Sequence, residues 1–252
     1  MGVEVKKMRN RGDGNSTSHN QSLPKNLILN SNIAVVPRYS LPQSYSRSDI
    51  QKIKTRKRIL DKAFSIIFLI LLLLLLPVFA ILIKLSSRGP VFFKQKREGK
   101  AGKKFSCYKF RSMHISNEEK FDFGTQEIDQ KRDHRIFKFG MFMRRNNLDE
   151  LPQLLNVIKG EMSLVGPRPY MVSECRYWKG VFFDFKKREE IKPGMSGLAQ
   201  VNGYRGGTLC KKHMRTRLNY DLIYVESYTL WVDIKIIGRT ILQMLRLNSK
   251  AR

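Results

Sequence analysis

Residues 63–83 read AFSIIFLILLLLLLPVFAILI, and this stretch decides how the rest of the chain is interpreted. Ser65 is its only polar side chain. A helix rises about 1.5 Å per residue, so the run reaches roughly 30 Å, the thickness of one hydrocarbon core. A secretory signal is not expected, because no small-residue cleavage site follows the run. The stretch predicts a membrane helix; a buried helix of a soluble protein is the alternative, and is rare at this length.

Basic residues flank this run on both sides. They are Lys52, Lys54, Arg56, Lys57, Arg58 and Lys62 before it, and Lys84, Arg88, Lys94, Lys96, Arg97, Lys100, Lys103 and Lys104 after it. Basic flanks prefer the cytoplasmic face, so a simple span would put one cluster on the unfavoured side. Pro77 removes a backbone hydrogen bond and can kink the helix. The pattern favours a re-entrant helix that bends at Pro77 and returns to the same face, with a spanning helix as the alternative.

The composition, with its large excess of basic residues, indicates an anionic partner. The 252 residues include 48 Lys and Arg against 21 Asp and Glu, a net charge of +27, and 42% are hydrophobic. That apolar fraction excludes a wholly disordered chain. The charge fits nucleic acid, acidic lipid or a phosphorylated substrate. The three cysteines have no CxxC spacing and are predicted to be reduced thiols.

The chain is predicted to have three parts: a flexible tail at 1–50, the basic-flanked membrane helix at 51–90, and a cytoplasmic domain at 91–252. A short strand is possible within the tail, at 27–36. In the domain, strands are predicted at 91–93 and 105–110, joined by a Gly- and Lys-rich turn at 98–104. An acidic, polar loop is predicted at 117–130. An apolar segment with Gly140 follows at 136–143.

An acidic pair, Asp149 and Glu150, precedes a run of leucines at helical spacing. Pro152 is comfortable only in a first helical turn, so the helix is predicted to begin at 149–151 and to end at Gly160. Free N–H groups and the dipole at such a helix start favour anions. The ordinary interpretation makes Asp149 an N-cap and Glu150 a first-turn acid.

Three further segments bear on phosphate binding and the membrane. In Pro167-Arg168-Pro169, two prolines hold one arginine in a stiff turn, which suits bidentate phosphate recognition. Residues 192–207 contain five glycines, which permit close backbone approach to a ligand or form tight turns. Apolar residues near the C-terminus share one helical face, suited either to the core or to the membrane interface: Leu230, Trp231, Ile234, Ile237, Ile241 and Leu245.

Several long motifs, in order over residues 54–245, resemble those of the bacterial sugar transferases, the monotopic polyprenyl-phosphate phosphoglycosyl transferases. They are Lys109-Phe110-Arg111-Ser112-Met113, Asp133-His134-Arg135-Ile136, the run 148–157, Met162-Ser163-Leu164-Val165-Gly166-Pro167-Arg168-Pro169, Lys192-Pro193-Gly194 and Gln200-Val201-Asn202-Gly203. The resemblance implies an α+β, helix-dominated monotopic membrane protein. Its expected elements are an N-terminal re-entrant helix, short β-strands and amphipathic interfacial helices. The family's kink is commonly Ser-Pro, whereas here Leu76 precedes Pro77.

The resemblance also implies an activity. Such enzymes transfer a sugar-1-phosphate from a UDP-sugar to undecaprenyl phosphate and release UMP, the first membrane step of glycan assembly, at the cytoplasmic face of the bacterial inner membrane. Asp149 is then the nucleophile that forms a covalent phosphosugar intermediate. Glu150 ligates Mg²⁺ or manages protons, and both carboxylates are candidate metal ligands. The predicted substrate-binding residues are Lys109, Arg111, Arg135, Arg144, Arg168, Gln200 and Asn202.

Two departures from a subgroup motif bear on which sugar is transferred, and two alternative functions remain open. A longer-chain subgroup that handles UDP-glucose or UDP-galactose carries Gly-Trp-Ala-Gln-Val-Asn-Gly-Tyr-Arg-Gly-Glu-Thr. Here Leu198 replaces the Trp and Gly207 replaces the Glu, so a hexose-1-phosphate is indicated but not specified. A membrane-tethered nucleic-acid binder is one rival, although no nucleic-acid-binding motif is recognisable. An inactive scaffold for polysaccharide assembly is the other. The basic flanks predict contact with anionic membrane lipids.

Overall fold

The structure is a computed structural model that describes residues 47–115, 133–205 and 210–245. The possible strand at 27–36, the acidic loop at 117–130 and most of the predicted tail lie outside these residues. The described fold is dominated by helices, with four short strands, as expected for the α+β class.

Helix α1 is Arg47–Ser86, and it continues through Pro77. Its part Gln51–Ser86 is long and apolar enough to cross a membrane, and only 11% of its most apolar window is buried within the protein. The exposed side chains include Phe64, Phe68, Leu71, Leu74, Val78 and Ile81. A core helix of a soluble protein would bury these groups, so the exposed surface agrees with the predicted membrane helix.

Both ends of α1 contact the same folded domain. Near its start, Lys57 forms an ion pair with Asp233. One turn later, the Asp61 carboxylate accepts a hydrogen bond from the Ser163 hydroxyl at 2.6 Å. Near its end, Ile83 is fully buried in an apolar cluster with Leu72, Phe110, Phe137 and Met143.

A β-hairpin follows α1. Strand β1, Phe92–Glu98, pairs antiparallel with β2, Lys104–Phe110, from Phe92 opposite Phe110 to Glu98 opposite Lys104. Both predicted strands are confirmed, but β1 is longer than predicted and the connecting turn is correspondingly shorter. The turn includes Gly102, whose φ of +70 lies in the left-handed region that glycine adopts without strain.

The acidic pair lies between two helices. Helix α2 is Lys138–Arg145; then a 3₁₀ turn, Leu148–Gln153, leads directly into helix α3, Leu154–Lys159. The prediction that an α-helix begins at 149–151 is therefore wrong. Asp149 and Glu150 lie in the 3₁₀ turn, and the α-helix begins after Gln153. Asp149 is also not an N-cap, because the residue before the turn is Asn147. The predicted end is confirmed, since Gly160 has a φ of +80.

Two three-residue strands position the Pro-Arg-Pro segment. Strand β3, Ser163–Val165, is parallel to β4, Gly194–Ser196. A Cβ on Gly194 would lie 2.0 Å from the backbone nitrogen of Gly166, and a Cβ on Gly197 would lie 2.4 Å from its oxygen. These two glycines therefore let backbone approach backbone, rather than backbone approach a ligand.

The remaining helices complete the domain: α4, Val172–Val181, α5, Leu198–Val201, α6, Lys211–Ser227, and α7, Leu230–Leu245. An aromatic cluster joins α4 to α6 and includes Trp178, Phe185 and Leu218. On α7, the buried face carries Val232 and Ile236, whereas Trp231 and Ile234 are about 60% exposed. The apolar stripe found in the sequence thus includes side chains that face outward from the protein.

Candidate active site

Glu150 is paired with two cations. Lys109 on β2 donates to its Oε1 at 2.8 Å, and Arg168 donates from Nη2 to the same oxygen at 2.9 Å. A second Arg168 nitrogen, Nη1, lies 3.3 Å from Oε2. Burial alone would raise the pKa of Glu150, but Arg168 and Lys109 outweigh burial and hold this pKa well below its usual range. Glu150 is therefore ionised at neutral pH and fixes the two cations.

Asp149, unlike Glu150, is not paired with a cation in the described residues. Its side chain is buried, with 6% of the residue exposed, and it forms no ion pair or hydrogen bond with any side chain in the described residues. Burial raises the pKa of this carboxyl, and the Glu150 carboxylate adds to the increase. Lys109, Arg144 and Arg168 act in the other direction. Asp149 is thus a carboxylate without a bonded partner, in a positive surrounding.

The turn that carries Arg168 is fixed from three sides. The carbonyl of Pro167 accepts a hydrogen bond from the Gly194 amide at 2.9 Å. The Arg168 carbonyl accepts one from Arg188 Nη2 at 2.5 Å, and the Pro169 carbonyl accepts one from Arg97. Three consecutive carbonyls therefore have partners from three separate segments, and the predicted stiffness of this turn has a structural basis.

Arg188 is itself fixed by a buried ion pair. It is bonded to Asp221 on α6 at 2.9 Å, and both side chains are nearly inaccessible to solvent. The Arg188 guanidinium also lies over the Tyr170 ring, 4.3 Å from the ring centroid. A pair this deeply buried is costly to break, because the remaining charge would be left uncompensated. The Arg168 backbone thus rests on a rigid support.

Two more arginines are near the acidic pair. Arg144 lowers the pKa of Asp149 by its charge and has one nitrogen 3.5 Å from the Ser112 hydroxyl. Arg205 was not identified as a site residue from the sequence, yet it interacts electrostatically with both Glu150 and Arg168. Its guanidinium donates to Gln243 Oε1 at 2.6 Å. The sequence signal for Arg205 was its place directly after the motif at 200–203.

Two arginines predicted to bind phosphate are engaged elsewhere. Arg111 donates to the Pro90 carbonyl at 2.6 Å, to the Ser87 hydroxyl at 2.6 Å and to backbone oxygens at the end of α1. Burial lowers the pKa of this guanidinium. Arg135 forms a two-pronged pair with Asp133, at 2.9 and 2.7 Å. The structure does not bring either side chain into the group around Glu150.

The two predicted amides also have local partners. Asn202 donates to the Leu198 carbonyl at 2.8 Å and so closes the last turn of α5. Gln200 donates weakly to the Met195 carbonyl at 3.3 Å, while its Oε1 is buried and has no hydrogen-bond partner among the described residues. Gly206 and Gly207, at the end of the glycine-rich motif, lie outside the described residues.

The donor set fits a shared Mg²⁺ better than a protein-only metal cage. Mg²⁺ prefers oxygen ligands and is commonly bound by one or two carboxylates together with substrate phosphates. Asp149 offers a carboxylate that forms no ion pair with another described residue, while Glu150 is already bonded to two cations. A separate group in the described residues is Glu98, Cys175 and Glu189, and both of its glutamates are paired with the Lys179 ammonium instead.

The fold and the site together define a membrane-associated protein with an acidic pair among basic side chains. The chain belongs to the bacterial sugar transferase family, whose family model matches residues 52–247. The match includes α1, the hairpin, the acidic pair and α7. The resemblance that the motifs indicated is therefore confirmed at the level of the family.

Individual relatives carry more specific names. The chain is 44% identical over 191 residues to a UDP-glucose:undecaprenyl-phosphate glucose-1-phosphate transferase of Xanthomonas campestris pv. campestris, covering 75% of this chain and 38% of that protein. It is 40% identical over 194 residues to exopolysaccharide production protein PSS of Rhizobium leguminosarum bv. phaseoli, covering 74% of this chain and 96% of that protein. It is 38% identical over 186 residues to a UDP-N-acetylgalactosamine-undecaprenyl-phosphate N-acetylgalactosaminephosphotransferase of Aeromonas hydrophila, covering 73% of this chain and 42% of that protein.

This chain matches only part of some of these relatives, so their names do not transfer directly to it. The chain spans about two fifths of the length of the Xanthomonas and Aeromonas relatives. The relatives are also named for different sugars, glucose in one and N-acetylgalactosamine in the other. These names alone therefore do not assign an activity or a sugar to this chain.

Proposed function

We propose that this chain transfers a sugar-1-phosphate from a UDP-sugar to undecaprenyl phosphate and releases UMP, as the first membrane step of exopolysaccharide, capsule, O-antigen or related glycan assembly. One observation carries the proposal: Asp149 is a buried carboxylate with no ion pair among the described residues, and it lies directly beside Glu150, which two cations neutralise. This contrast supports Asp149 as the nucleophile. The glucose in the Xanthomonas relative's name supports a hexose-1-phosphate as the transferred group.

The first step uses the carboxylate of Asp149. One of its oxygens attacks the phosphorus that bears the sugar, and a phosphorus–oxygen bond to Asp149 forms. The bond between this phosphorus and the bridging oxygen breaks, and UMP leaves with that electron pair. The product on the protein is an aspartyl phosphosugar. Lys109, Arg144 and Arg168 surround the reacting phosphates with positive charge, which is the main requirement of phosphoryl transfer.

The second step regenerates the carboxylate. An oxygen of undecaprenyl phosphate attacks the same phosphorus, and the bond to Asp149 breaks. The sugar is then linked to the lipid through a diphosphate. Positive charge from Arg144 and Arg168 stabilises the acceptor's own negative charge while it approaches.

Glu150 acts by position rather than by proton transfer. Its low pKa makes it a poor proton donor at neutral pH, and its two bonds fix Lys109 and Arg168. Asp149, with any oxygen that Glu150 leaves free, would hold Mg²⁺ together with the donor diphosphate. The bound ion supplies additional neutralisation of the diphosphate charge.

The contacts of α1 support a re-entrant helix at one membrane face. A straight span of roughly 30 Å would carry one end of the helix to the far side of the bilayer. Lys57 and Ile83, near opposite ends, both contact the same domain. We therefore assign 51–90 as the re-entrant segment bent at Pro77, and 91–252 as a domain on the cytoplasmic face of the inner membrane. The exposed Trp231 and Ile234 fit α7 at the interface.

The direct test measures UMP release by the full chain from a panel of UDP-sugars, with undecaprenyl phosphate and Mg²⁺ present. We expect one UDP-hexose to give UMP and a lipid-linked sugar, and omission of Mg²⁺ to abolish both. Glu226→Gln, which removes an exposed carboxylate on α6, is the control and should keep full activity. No UMP from any sugar would contradict the proposal and favour a scaffold or a nucleic-acid binder.

A further inference from the structure

A basic groove lies between the first part of α1 and the hairpin turn. One cavity of about 280 Å³ is lined by one face of residues 51–62 and by residues 190–192. A second, of about 540 Å³, is lined by the hairpin turn and the end of α3. Lys100 and Lys192 line both cavities, so the two lie side by side. Nine basic and three acidic side chains line this basic groove.

The cations that matter in the groove have no carboxylate partner. They are Lys54, Arg58, Lys62, Lys100 and Lys192, and none of them forms an ion pair within the described parts of the chain. Two of the three acids are used by other groups: Asp61 accepts a hydrogen bond from Ser163, and Glu161 accepts one from Asn156. The groove therefore has an uncompensated positive charge.

The positive charge of the groove affects the pKa of Lys192. It is half-buried between the two cavities. Burial lowers its pKa, and repulsion from Arg58, Lys62 and Lys100 lowers it further, with only Asp61 acting in the other direction. Crowded cations of this kind are stabilised by a bound anion, because the anion removes their mutual repulsion.

The groove is separate from the active site. None of its lining residues belongs to the group around Asp149 and Glu150. Its α1 wall ends at Lys62, and the apolar run begins at the next residue. In a membrane, this places the groove next to the boundary of the hydrocarbon core, at the depth of the lipid headgroups.

We propose that the basic groove binds the phosphate of an anionic phospholipid headgroup. A lipid phosphate and a free phosphate offer the same oxygens to these cations, but the position of the groove at the start of the apolar run favours the lipid. A lipid held there would fix the depth and rotation of α1 against the domain. This role goes beyond the transfer reaction and does not depend on it.

The test uses the full chain in a neutral detergent without nucleotide. Native mass spectrometry counts the molecules of phosphatidylglycerol that stay bound, and phosphatidylcholine serves as the lipid without net charge. The variant Arg58→Gln/Lys192→Gln removes two groove cations. The matched control, Arg56→Gln/Lys187→Gln, removes two exposed cations that line neither cavity. Lys192→Gln alone is a milder variant in case the double variant does not fold.

We expect one phosphatidylglycerol to bind saturably and phosphatidylcholine to bind much more weakly. Each groove cation removed should weaken the binding about fivefold, so the double variant should lose about 25-fold and the control less than threefold. Equal losses in both double variants would show general surface attraction and overturn the proposal. In a second arm, inorganic phosphate is titrated against phosphatidylglycerol. Binding of inorganic phosphate but not of the lipid, with the same sensitivity to the variants, would overturn the assignment to a lipid.

Discussion

The basic cluster around Glu150 and the basic groove beside α1 both collect lysine and arginine side chains, but they hold them in different ways. Around Glu150, Lys109 and Arg168 are each bonded to a carboxylate, and the Arg168 turn is fixed from three sides. In the groove, Lys100 and Lys192 have no ion pair within the described residues. The first arrangement fixes positions, as a reaction requires. The second offers positive potential without fixed geometry, which suits a mobile headgroup.

The largest difference between the two regions should appear when one arginine loses its geometry but keeps its charge. Arg168→Lys keeps a positive charge near Glu150 but removes the planar fork that bonds both carboxylate oxygens. We expect kcat/KM for UMP release to fall about 100-fold. Arg58→Lys in the groove should change lipid binding less than twofold. A fall of less than threefold for Arg168→Lys would contradict the distinction between fixed and unfixed cations.

The support beneath the Arg168 turn gives the next largest effect. Asp221→Asn removes the partner of buried Arg188, which also donates to the Arg168 carbonyl. We expect the free energy of unfolding to fall by about 3 kcal/mol, because a buried charge is left unpaired. We also expect UMP release to fall about tenfold, chiefly in kcat. Glu226→Gln, on the same helix but exposed, is the control, and an equal loss there would refute the positioning role.

The acidic limb of the pH–rate profile gives a smaller but more specific effect. Asp149 must be ionised to attack, so activity is lost as the pH falls through its pKa, which burial holds above the ordinary value. Lys109→Gln removes a charge that lowers this pKa. The limb should therefore move to higher pH. Lys96→Gln, an exposed cation on β1, should leave the limb in place; a shift to lower pH in Lys109→Gln would contradict the assignment.

The smallest expected difference between the two regions is in how their functions respond to salt. Raising the ionic strength from about 0.1 M to about 1 M shortens the screening length from about 10 Å to about 3 Å. The exposed groove should then bind phosphatidylglycerol about fivefold more weakly. The buried pair of Glu150 and Arg168 is screened much less, so UMP release at saturating substrate should change less than twofold. If salt weakened lipid binding and UMP release equally, the proposed difference between exposed groove cations and buried active-site cations would be contradicted.

Local patterns in the sequence were sufficient for much of the fold. The apolar run at 63–83 predicted α1, two short strand-like segments around a Gly- and Lys-rich turn predicted the hairpin, and Gly160 marked the end of α3. The 3₁₀ turn around Asp149 was not predicted, because leucines at helical spacing and a first-turn proline fit either type of turn. The outward orientation of Trp231 was also left open, since one apolar stripe serves a core or an interface equally well.

The site could be predicted only in part, because its partners come from distant segments. The motifs correctly brought Lys109 and Arg168 together with the acidic pair. They could not show that Arg111 bonds to the end of α1, because that contact depends on how α1 lies against the hairpin. Nor could they show the support from Arg188 and Asp221. Such side-chain pairs join residues far apart in the sequence and leave no periodic pattern.

The most direct test of the account is the covalent intermediate on Asp149. The full chain is incubated with its UDP-sugar and Mg²⁺ but without undecaprenyl phosphate, and its intact mass is then measured. We predict one added sugar phosphate per chain, mapped by peptide analysis to Asp149, with an equivalent amount of UMP released. Asp149→Asn should give no adduct and no transfer. An adduct on another residue, or full transfer by Asp149→Asn, would show that Asp149 is not the nucleophile.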